Sequence, residues 1–357
     1  MENNYLQQFE KILLAIIEHG ASDLHLSVGS IPHMRVSGTL TGMITFSELD
    51  QASLVAFLKI MTLETEVQKL LEKKEIDFAY QYGDRLRLRG NAFITNGKLG
   101  VVLRTIGTIK TFAELALPEN LKDFCNQKQG FFLVVGPVGQ GKSTTLAAMI
   151  DIINKERSEH IVTIESPVEY VHTPQRSLID QREVGLDTET FETGLNAAFR
   201  QDVNVLLIGE MRDKETIAAA VTASETGHLV FATLHTNSAA QTIDRIIDTF
   251  PAAQQDQVRM QLSGSLLGIF SQRLLPSSAG GRVPAYELLI NTKGVANTIR
   301  EGRTHEIDML IETGTEHGMI SMNTSLINLV RDGHISVEDA RKYTMNKDSL
   351  DRMLGIV

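Results

Sequence analysis

Residues 136–143 carry the pattern most closely tied to a known chemistry, a glycine-rich run that ends in lysine and serine. The run reads Gly-Pro-Val-Gly-Gln-Gly-Lys-Ser and matches the phosphate-loop pattern G-x-x-x-x-G-K-[ST] at every position. Glycines let such a loop curl until its backbone N–H groups point at phosphate oxygens. Lys142 would reach the β- and γ-phosphates of a nucleotide, and Ser143 would hold Mg²⁺. The predicted nucleotide-binding residues are Gly136, Pro137, Val138, Gly139, Gln140, Gly141, Lys142, Ser143 and Thr144.

The elements on either side of this loop are those that a phosphate site needs. Residues 131–135 form a short apolar run that predicts a buried strand, and residues 144–154 have the composition of a good helix. A helix that begins at the loop adds the partial positive charge of its N-terminus to the site. The alternative is a glycine-rich turn that matches the pattern by chance. Such a turn would not need a strand directly before it and a helix directly after it.

Two more apolar strands end in carboxylates. Residues 161–164 lead into Glu165, and residues 205–209 lead into Glu210. Ligands of parallel sheets bind at the carboxyl ends of the strands, where an acid can orient Mg²⁺ or the attacking water. We therefore predict catalytic roles for both acids. The alternative for each is a solvated carboxylate in a loop.

Two histidines bracket a further buried strand at residues 229–234. His228 precedes it and His235 follows it, so His235 lies at the carboxyl end, where it can sense a γ-phosphate. A structural histidine at the end of a strand is the alternative reading for either residue.

A row of arginines marks a strand nearer the start of the chain. Arg85, Arg87 and Arg89 alternate with leucines, which predicts that the three guanidinium groups project from one face of the strand. Like charges on one face repel each other unless an anion or an acid neutralises them. The arginines therefore either belong to a phosphate site shared between domains or lie on a solvated face of the strand.

The surrounding pattern predicts a small α+β domain followed by a strand–helix alternation typical of a parallel sheet. A helix over residues 5–19, a helix over 49–73 that breaks near Thr62, and strands between residues 76 and 106 make up the first part. From about residue 288 the chain is predicted to be mostly helical. The predicted divisions are an N-terminal domain at 1–106, a linker at 107–118, a central domain at 119–287 and a C-terminal helical region at 288–357.

Composition narrows the classes of protein to which the chain can belong. Its 357 residues carry a net charge of −10 and a single cysteine, Cys125. One cysteine excludes an internal disulfide framework and a four-cysteine zinc site. The acidic balance argues against a nucleic-acid partner. No apolar run approaches the length that spans a bilayer, so we expect a cytosolic chain without a transmembrane segment.

Longer strings of sequence add a family resemblance to these motifs. They are residues 20–26 (Gly-Ala-Ser-Asp-Leu-His-Leu), 181–185 (Gln-Arg-Glu-Val-Gly), 209–213 (Gly-Glu-Met-Arg-Asp), 225–236 around the histidine pair, and 243–248 (Ile-Asp-Arg-Ile-Ile-Asp). With the phosphate loop, and in this order, they resemble the secretion and type IV pilus ATPase superfamily. Within it, the chain is similar to the pilus retraction ATPases of the PilT and PilU kind, almost from end to end.

The resemblance implies an α/β fold in which a RecA-like ATPase domain follows a smaller PAS-like α+β domain and precedes a helical C-terminal segment. It implies a homohexamer that hydrolyses ATP with Mg²⁺, in the cytoplasm and peripheral at the inner membrane. The implied partners are an inner-membrane pilus platform protein and other pilus motor ATPases. In the family, Glu210 would be the general base, Glu165 belongs to the acid box, and His228 and His235 belong to the histidine box. Arginines of the N-terminal domain reach the phosphates, and the matching residues are Arg87, Arg89 and Arg104.

The chain departs from the family pattern at a few positions. Ser166 stands where the family usually has Asp, Val203 and Asn204 where it has Pro and Asp, and Ala296 where a retraction-linked string has Arg. The possibility that the chain is an accessory paralogue of the retraction motor therefore stays open. So do a pilus extension or type II secretion ATPase, a nucleic-acid-translocating RecA-like motor, and a ring subunit that binds nucleotide without hydrolysing it. Extension and secretion members usually carry a tetracysteine zinc insertion, which this chain lacks.

Overall fold

The computed structural model describes residues 2–36, 38–83 and 85–356. Contacts divide the chain into two compact units. The first comprises Met1–Thr108 together with Pro167–Val171, and the second comprises Ile109–Ser166 with His172–Val357. The division after Thr108 falls inside the predicted linker, whereas the sequence did not indicate that residues 167–171 join the first unit. The predicted domain boundaries, with the linker at 107–118, stay predictions.

The first unit is an antiparallel sheet with helices packed on it. Its helices are α1 (Glu2–Glu18), α2 (Gln51–Met61) and α3 (Glu64–Lys73), and its strands are β1 (Asp23–Ser27), β2 (His33–Val36), β3 (Thr39–Gly42), β4 (Glu75–Tyr82), β5 (Leu86–Thr95) and β6 (Lys98–Ile106). In the described residues the sheet order is β3-β2-β1-β6-β5-β4. The predicted break near Thr62 is confirmed, because Thr62 closes α2 and α3 begins two residues later. The β2–β3 hairpin was not predicted.

Strand alternation separates the two faces of this sheet. Residues such as Leu24, Leu88 and Leu103 are fully buried and pack with Phe9 and Phe57 of the helices in one core cluster. Their neighbours along the strands point to the opposite face, which carries charged side chains, because successive residues of a strand alternate. The apolar face thus forms the core and leaves the charged face for other contacts.

The second unit is built on a mostly parallel sheet. Its strands are β7 (Gly130–Val135), β8 (His160–Glu165), β9 (Leu178–Glu183), β10 (Val205–Ile208), β11 (Leu229–Leu234), β12 (Leu266–Pro276) and β13 (Arg282–Ile290). The sheet order within the described residues is β13-β12-β7-β11-β10-β8-β9, and the β12–β13 pair is antiparallel while the others are parallel. Near-continuous burial of β7, β10 and β11 is the pattern of strands covered on both faces.

Helices cover both faces of this sheet and continue to the end of the described chain. They are α4 (Lys122–Cys125), α5 (Lys142–Glu156), α6 (Phe191–Ala198), α7 (Lys214–Glu225), α8 (Ala239–Asp248), α9 (Ala252–Ser265), α10 (Lys293–Arg300), α11 (Ile307–Thr313), α12 (Met322–Arg331), α13 (Val337–Tyr343) and α14 (Lys347–Leu354). The last three pack on the β12–β13 hairpin through Leu275, Leu326 and Leu350. Among the described residues, no helix is long and apolar enough to cross a membrane.

The parallel order places the carboxyl ends of β7, β11, β10 and β8 along one edge of the sheet. The phosphate-loop residues follow β7, His235 follows β11, Glu210 comes two residues after β10, and Glu165 ends β8. Side chains that are far apart in the sequence are thereby brought to one edge.

Candidate nucleotide site

The phosphate loop occupies the turn between β7 and α5, and close packing explains two of its glycines. Gly136 has φ of 147°, and a Cβ there would lie 2.5 Å from the backbone oxygen of Gln272. Gly141 precedes α5 in a left-handed conformation with φ of 80°. Both positions need glycine, since other residues rarely adopt these angles and a side chain at Gly136 would collide with β12. The positive φ angles follow from glycines of the loop itself, whereas the close packing at Gly136 comes from β12.

Lys142 is buried at the centre of the loop, with only 8% of its surface exposed. Its Nζ donates to the backbone oxygens of Gly136 at 2.8 Å and Pro137 at 3.1 Å, and lies 3.3 Å from Nδ1 of His235. An ammonium group can only donate, so Nδ1 of His235 is the acceptor and the ring hydrogen belongs on Nε2. Phosphate oxygens at the loop would compete with these partners for the lysine.

Glu210 receives a partner at each carboxylate oxygen. Nε2 of His235 lies 2.9 Å from Oε1, and Nη2 of Arg212 donates to Oε2 at 2.7 Å. Partial burial works to raise the pKa of Glu210, but the Arg212 hydrogen bond and the electrostatic attraction of the neighbouring His235, Arg212 and Lys142 side chains outweigh it, so the pKa is lowered. Glu210 is thus held ionised and connected through His235 to Lys142.

Glu165, the acid predicted on the neighbouring strand, is held by its surroundings. Its Oε1 accepts from the Thr163 hydroxyl at 2.6 Å and from the Gln181 amide at 3.3 Å. Gly209, one residue before Glu210, comes so close that a Cβ there would lie 3.2 Å from Cα of Glu165. The two strand ends that carry the acids are therefore in direct contact, and Glu165 is the one tied to β8 and β9.

His228 lies at the other edge of the sheet. It precedes β11, whereas His235 follows it, and six strand residues separate the two histidines. At the rise of an extended strand this is roughly 20 Å. Nδ1 of His228 bonds the backbone oxygen of Ala223 at 3.1 Å, and its ring packs edge-on against Phe199. The fold of the chain brings only one of the two predicted histidines to its own phosphate loop.

The predicted arginines belong to the first unit and lie on the charged face of its sheet. Arg89 and Arg104 are directly opposite each other on β5 and β6, and Arg104 is opposite Asp23 on β1. Arg87 is two residues before Arg89 on the same strand, so it shares their face. Arg85, in contrast, lies in the turn before β5, where its N–H donates to the oxygen of Tyr82.

Two acids and a backbone carbonyl are the partners of this row of arginines. Nε of Arg104 lies 3.0 Å from Asp23, and Nη1 of Arg89 lies 2.8 Å from Glu169. Arg87 donates to the backbone oxygen of Val168 at 2.9 Å. The segment 167–171 therefore supplies partners to two of the three arginines, which accounts for its place in the first unit. A role of the arginines at nucleotide phosphates stays a prediction.

Two functional candidates, Asp23 and Arg212, were not predicted from the sequence, and neither was the pairing of Glu169 with Arg89. Asp23 is buried, and burial, which raises the pKa of its carboxyl, is outweighed by hydrogen bonds from Ser22 and Arg104 that lower it. Asp23 and Arg104 lie opposite each other on neighbouring strands but 81 residues apart in the sequence, so their pairing leaves no local signal. Arg212 does leave one, since it stands two residues after Glu210 in the string at 209–213.

The family follows from comparison with known proteins. Residues 3–351 match a family model described as Type II/IV secretion system protein. The chain belongs to this type II/IV secretion family. Among its relatives, the type IV pilus retraction ATPase PilT of Pseudomonas aeruginosa is 43% identical over 93% of this chain and 96% of its own length. The type IV pilus ATPase PilU of the same organism is 41% identical over 98% of this chain and 92% of its own length.

A solved structure of this secretion family shares the fold. The crystal structure of the pilus retraction motor PilT with bound ADP superposes with a TM-score of 0.89 at 43% identity, covering 96% of this chain and 98% of that one. The predicted family and the predicted fold, a RecA-like ATPase domain after a smaller α+β domain, are confirmed.

Proposed function

We propose that the chain is an ATP-hydrolysing motor that drives type IV pilus retraction as a homohexamer in the cytoplasm, at the inner membrane. One observation carries the proposal. The series of contacts from Lys142 through His235 to Glu210 lies at a complete phosphate loop, in a chain that is 43% identical to the retraction ATPase PilT over 93% of its length. Lys142 supplies a cation that can bind phosphate, Glu210 supplies an ionised carboxylate, and the imidazole of His235 contacts both.

The roles of the three side chains follow from their contacts. Lys142 would exchange its bonds to the loop carbonyls for β- and γ-phosphate oxygens of ATP. Glu210, held ionised, would accept a hydrogen bond from the attacking water and take its proton. His235 touches both groups, so movement of the lysine toward the phosphates changes the hydrogen bonding of the carboxylate. This is how the presence of a γ-phosphate would be sensed.

The residues present fit a magnesium ion that arrives with the nucleotide. Ser143 is exposed at the first turn of α5, directly after the buried Lys142. Mg²⁺ commonly keeps several waters and takes other ligands from the substrate phosphates, and the Ser or Thr hydroxyl of a phosphate loop is one of its protein ligands. Bound there, the ion would supply positive charge that stabilises the developing negative charge on the phosphates.

Arg87, Arg89 and Arg104 are proposed to act on the nucleotide of a neighbouring subunit. Guanidinium groups suit this role because they stay charged and bond phosphate oxygens in a fork. The exposure of the guanidinium groups supports it: the Arg104 side chain is 70% exposed and that of Arg89 is 41% exposed. Ion pairs of exposed side chains are weak and can be replaced by a phosphate. The alternative is that Asp23 and Glu169 are the permanent partners of these arginines.

A second candidate is an accessory ATPase that supports a separate retraction motor. Two observations favour it: the identity to PilU over 98% of the chain, and Ala296 in place of an arginine in the retraction-linked string. Either form would engage an inner-membrane pilus platform protein and other pilus motor ATPases. The net charge of −10 disfavours the nucleic-acid motor.

Deleting the gene and counting surface pili tests the proposal, with twitching as the second readout. Retraction predicts excess pili and lost twitching, which wild-type protein restores and Lys142→Ala does not. Lys128→Ala is the matched control, because Lys128 is an exposed lysine in the bend before β7. Bald cells would instead identify an extension ATPase. Normal pilus numbers with weakened twitching would favour the accessory role.

A further inference from the structure

The side chain of Gln272 on β12 lies between the phosphate loop and the helix that follows the loop. Strand β12 runs parallel to β7, with Phe270 beside Val134 and Ser271 beside Val135. Gln272 therefore comes next to the point at which β7 ends and the loop begins. It is 3% exposed, and no sequence motif marked it.

Both ends of the Gln272 amide are hydrogen-bonded. Nε2 donates to the backbone oxygen of Gln140 at 2.8 Å, and Oε1 accepts from the Thr145 hydroxyl at 2.7 Å. A backbone oxygen can only accept, so the amide must present its NH₂ to Gln140 and its oxygen to Thr145. One side chain thus joins the middle of the loop to the first turns of α5 in a single orientation.

The loop is bonded to β12 a second time. The side-chain oxygen of Gln140 accepts from the backbone N–H of Leu274 at 2.6 Å. The surroundings are crowded, since a Cβ at Gly141 would lie 3.0 Å from Nε2 of Gln272 and 3.1 Å from a methyl group of Leu274. Two donors of β12 therefore fix the loop, and close packing restricts other arrangements of the amide.

We propose that Gln272 is a positioning residue for nucleotide binding, because its amide holds the phosphate loop in the shape that receives phosphates. The inference rests on the proposed ATPase function. A loop held in its binding shape loses less conformational entropy when a ligand arrives, so its affinity is higher. Gln272 need not touch the nucleotide to act in this way. Removing the Gln272 amide should weaken nucleotide affinity more than it changes the rate at which bound ATP is hydrolysed.

The test measures ADP affinity of the full-length protein by titration calorimetry. Gln272→Met keeps the length of the side chain and removes both hydrogen bonds, so we expect binding weaker by about tenfold, as for one or two lost hydrogen bonds. In turnover assays KM for ATP should rise while kcat stays within about twofold. Gln257→Met, on the exposed surface of α9, is the matched control and should bind ADP as the wild type does.

A charged variant separates positioning from a merely structural role. Gln272→Glu retains the acceptor for Thr145 but turns an oxygen toward the oxygen of Gln140, so binding should be weak at about pH 8. A buried carboxyl readily takes up a proton, and the protonated form can donate to Gln140 again. The affinity of Gln272→Glu relative to wild type should therefore recover between about pH 8 and pH 6. Thr145→Val, which removes one of the two hydrogen bonds, should weaken ADP binding less than Gln272→Met does. In the double variant the two effects on binding should be less than additive, because both substitutions remove the same hydrogen bond.

The proposal is overturned if folded Gln272→Met binds ADP within about twofold of wild type, or if only kcat falls. It is also overturned if the ratio of affinities for Gln272→Glu does not change with pH. Should Gln272→Met not fold, the Gln272→Glu and Thr145→Val measurements decide. Wild-type protein that fails to bind ADP would defeat the proposed function itself, whereas normal wild-type binding with unaffected variants defeats this inference alone.

Discussion

His235 and Glu210 contact each other at the phosphate loop, with Nε2 of the imidazole 2.9 Å from Oε1 of the carboxylate. The other nitrogen of the same ring accepts from the ammonium of Lys142. A single imidazole therefore connects the residue proposed to bind the γ-phosphate with the residue proposed to activate water. The roles of the lysine, of the carboxylate and of the groups around the carboxylate can each be tested by a separate substitution.

Replacing Lys142 with alanine should abolish ATP hydrolysis. The substitution removes the cation at the centre of the loop, and loss of one preorganised donor to transition-state charge commonly costs about 100-fold or more in rate. Steady-state phosphate release by the purified protein measures the effect, with Lys128→Ala as the control of equal chemistry. Undiminished turnover in Lys142→Ala would contradict the assignment of the site.

Glu210→Gln should bind ATP and hydrolyse it slowly, by a factor of about 100 or more. Glutamine keeps the shape and can accept the bond from His235, but it cannot take a proton from water. Nucleotide binding and single-turnover hydrolysis should be measured together, with Glu165→Gln in parallel. Near-normal hydrolysis by Glu210→Gln and an inactive Glu165→Gln would place the base on β8 instead.

Arg212→Ala should move the acidic limb of the pH–rate profile to higher pH. Burial works to raise the pKa of Glu210, and the hydrogen bond from Arg212 is the strongest of the effects that lower it. Without Arg212 the pKa rises, so the carboxylate is protonated, and inactive as a base, at pH values where the wild type still works. The profile of kcat/KM measures the shift, and Arg200→Ala, an exposed arginine on the turn after α6, is the control. A limb that stays in place or moves to lower pH contradicts the role of Arg212.

The proposed arginines should act across the subunit boundary. Alanine at Arg87, Arg89 or Arg104 should lower turnover while the fold is kept. Mixing two inactive variants, Lys142→Ala and Arg104→Ala, places an intact loop opposite an intact arginine in some rings, so activity should partly return.

The same mixing experiment should be repeated with Arg87→Ala and Arg89→Ala. Co-assembly has to be verified by tagged pull-down, because separate homogeneous rings would also show no activity. If none of the three arginines gives recovery in mixed rings, the pairs with Asp23 and Glu169 are permanent and the trans model is wrong.

Glu287→Gln should stabilise the protein above neutral pH. Glu287 is buried on β13 and accepts from the N–H of Ala239; burial raises its pKa to about 7. With a folded pKa above the unfolded one, the folded state binds more protons between the two values, so stability falls as pH rises from about 4.5 toward 7. Glutamine keeps the acceptor and does not ionise.

The free energy of unfolding of Glu287→Gln should exceed that of the wild type by roughly 1–3 kcal/mol above pH 7, and the difference should vanish below the unfolded pKa. Thermal unfolding of wild type and variant at matched pH values measures it, since contributions from other groups cancel in the difference. An equal difference at every pH would assign the effect to packing, and a less stable variant at high pH would show that the ionised carboxylate is satisfied in the fold.

The phosphate loop and the strands that lead to the acids were predictable from local sequence alone. The loop motif occupies eight consecutive residues, and its glycines and the flanking strand and helix are all local to it. Glu165, Glu210 and His235 were also predictable, because the carboxyl ends of neighbouring parallel strands meet at one edge whatever the details of packing. For the same reason His228, at the amino end of β11, could be assigned to the opposite edge.

The pairing of groups that are far apart in the sequence depends on long-range packing. Asp23 meets Arg104 because β1 pairs with β6, and Glu169 meets Arg89 because residues 167–171 pack with the first unit. Gln272 reaches the phosphate loop because β12 pairs with β7 in one particular register. The alternation of a strand determines which residues share a face, but the partner strand and the register depend on long-range packing that one stretch of sequence does not encode.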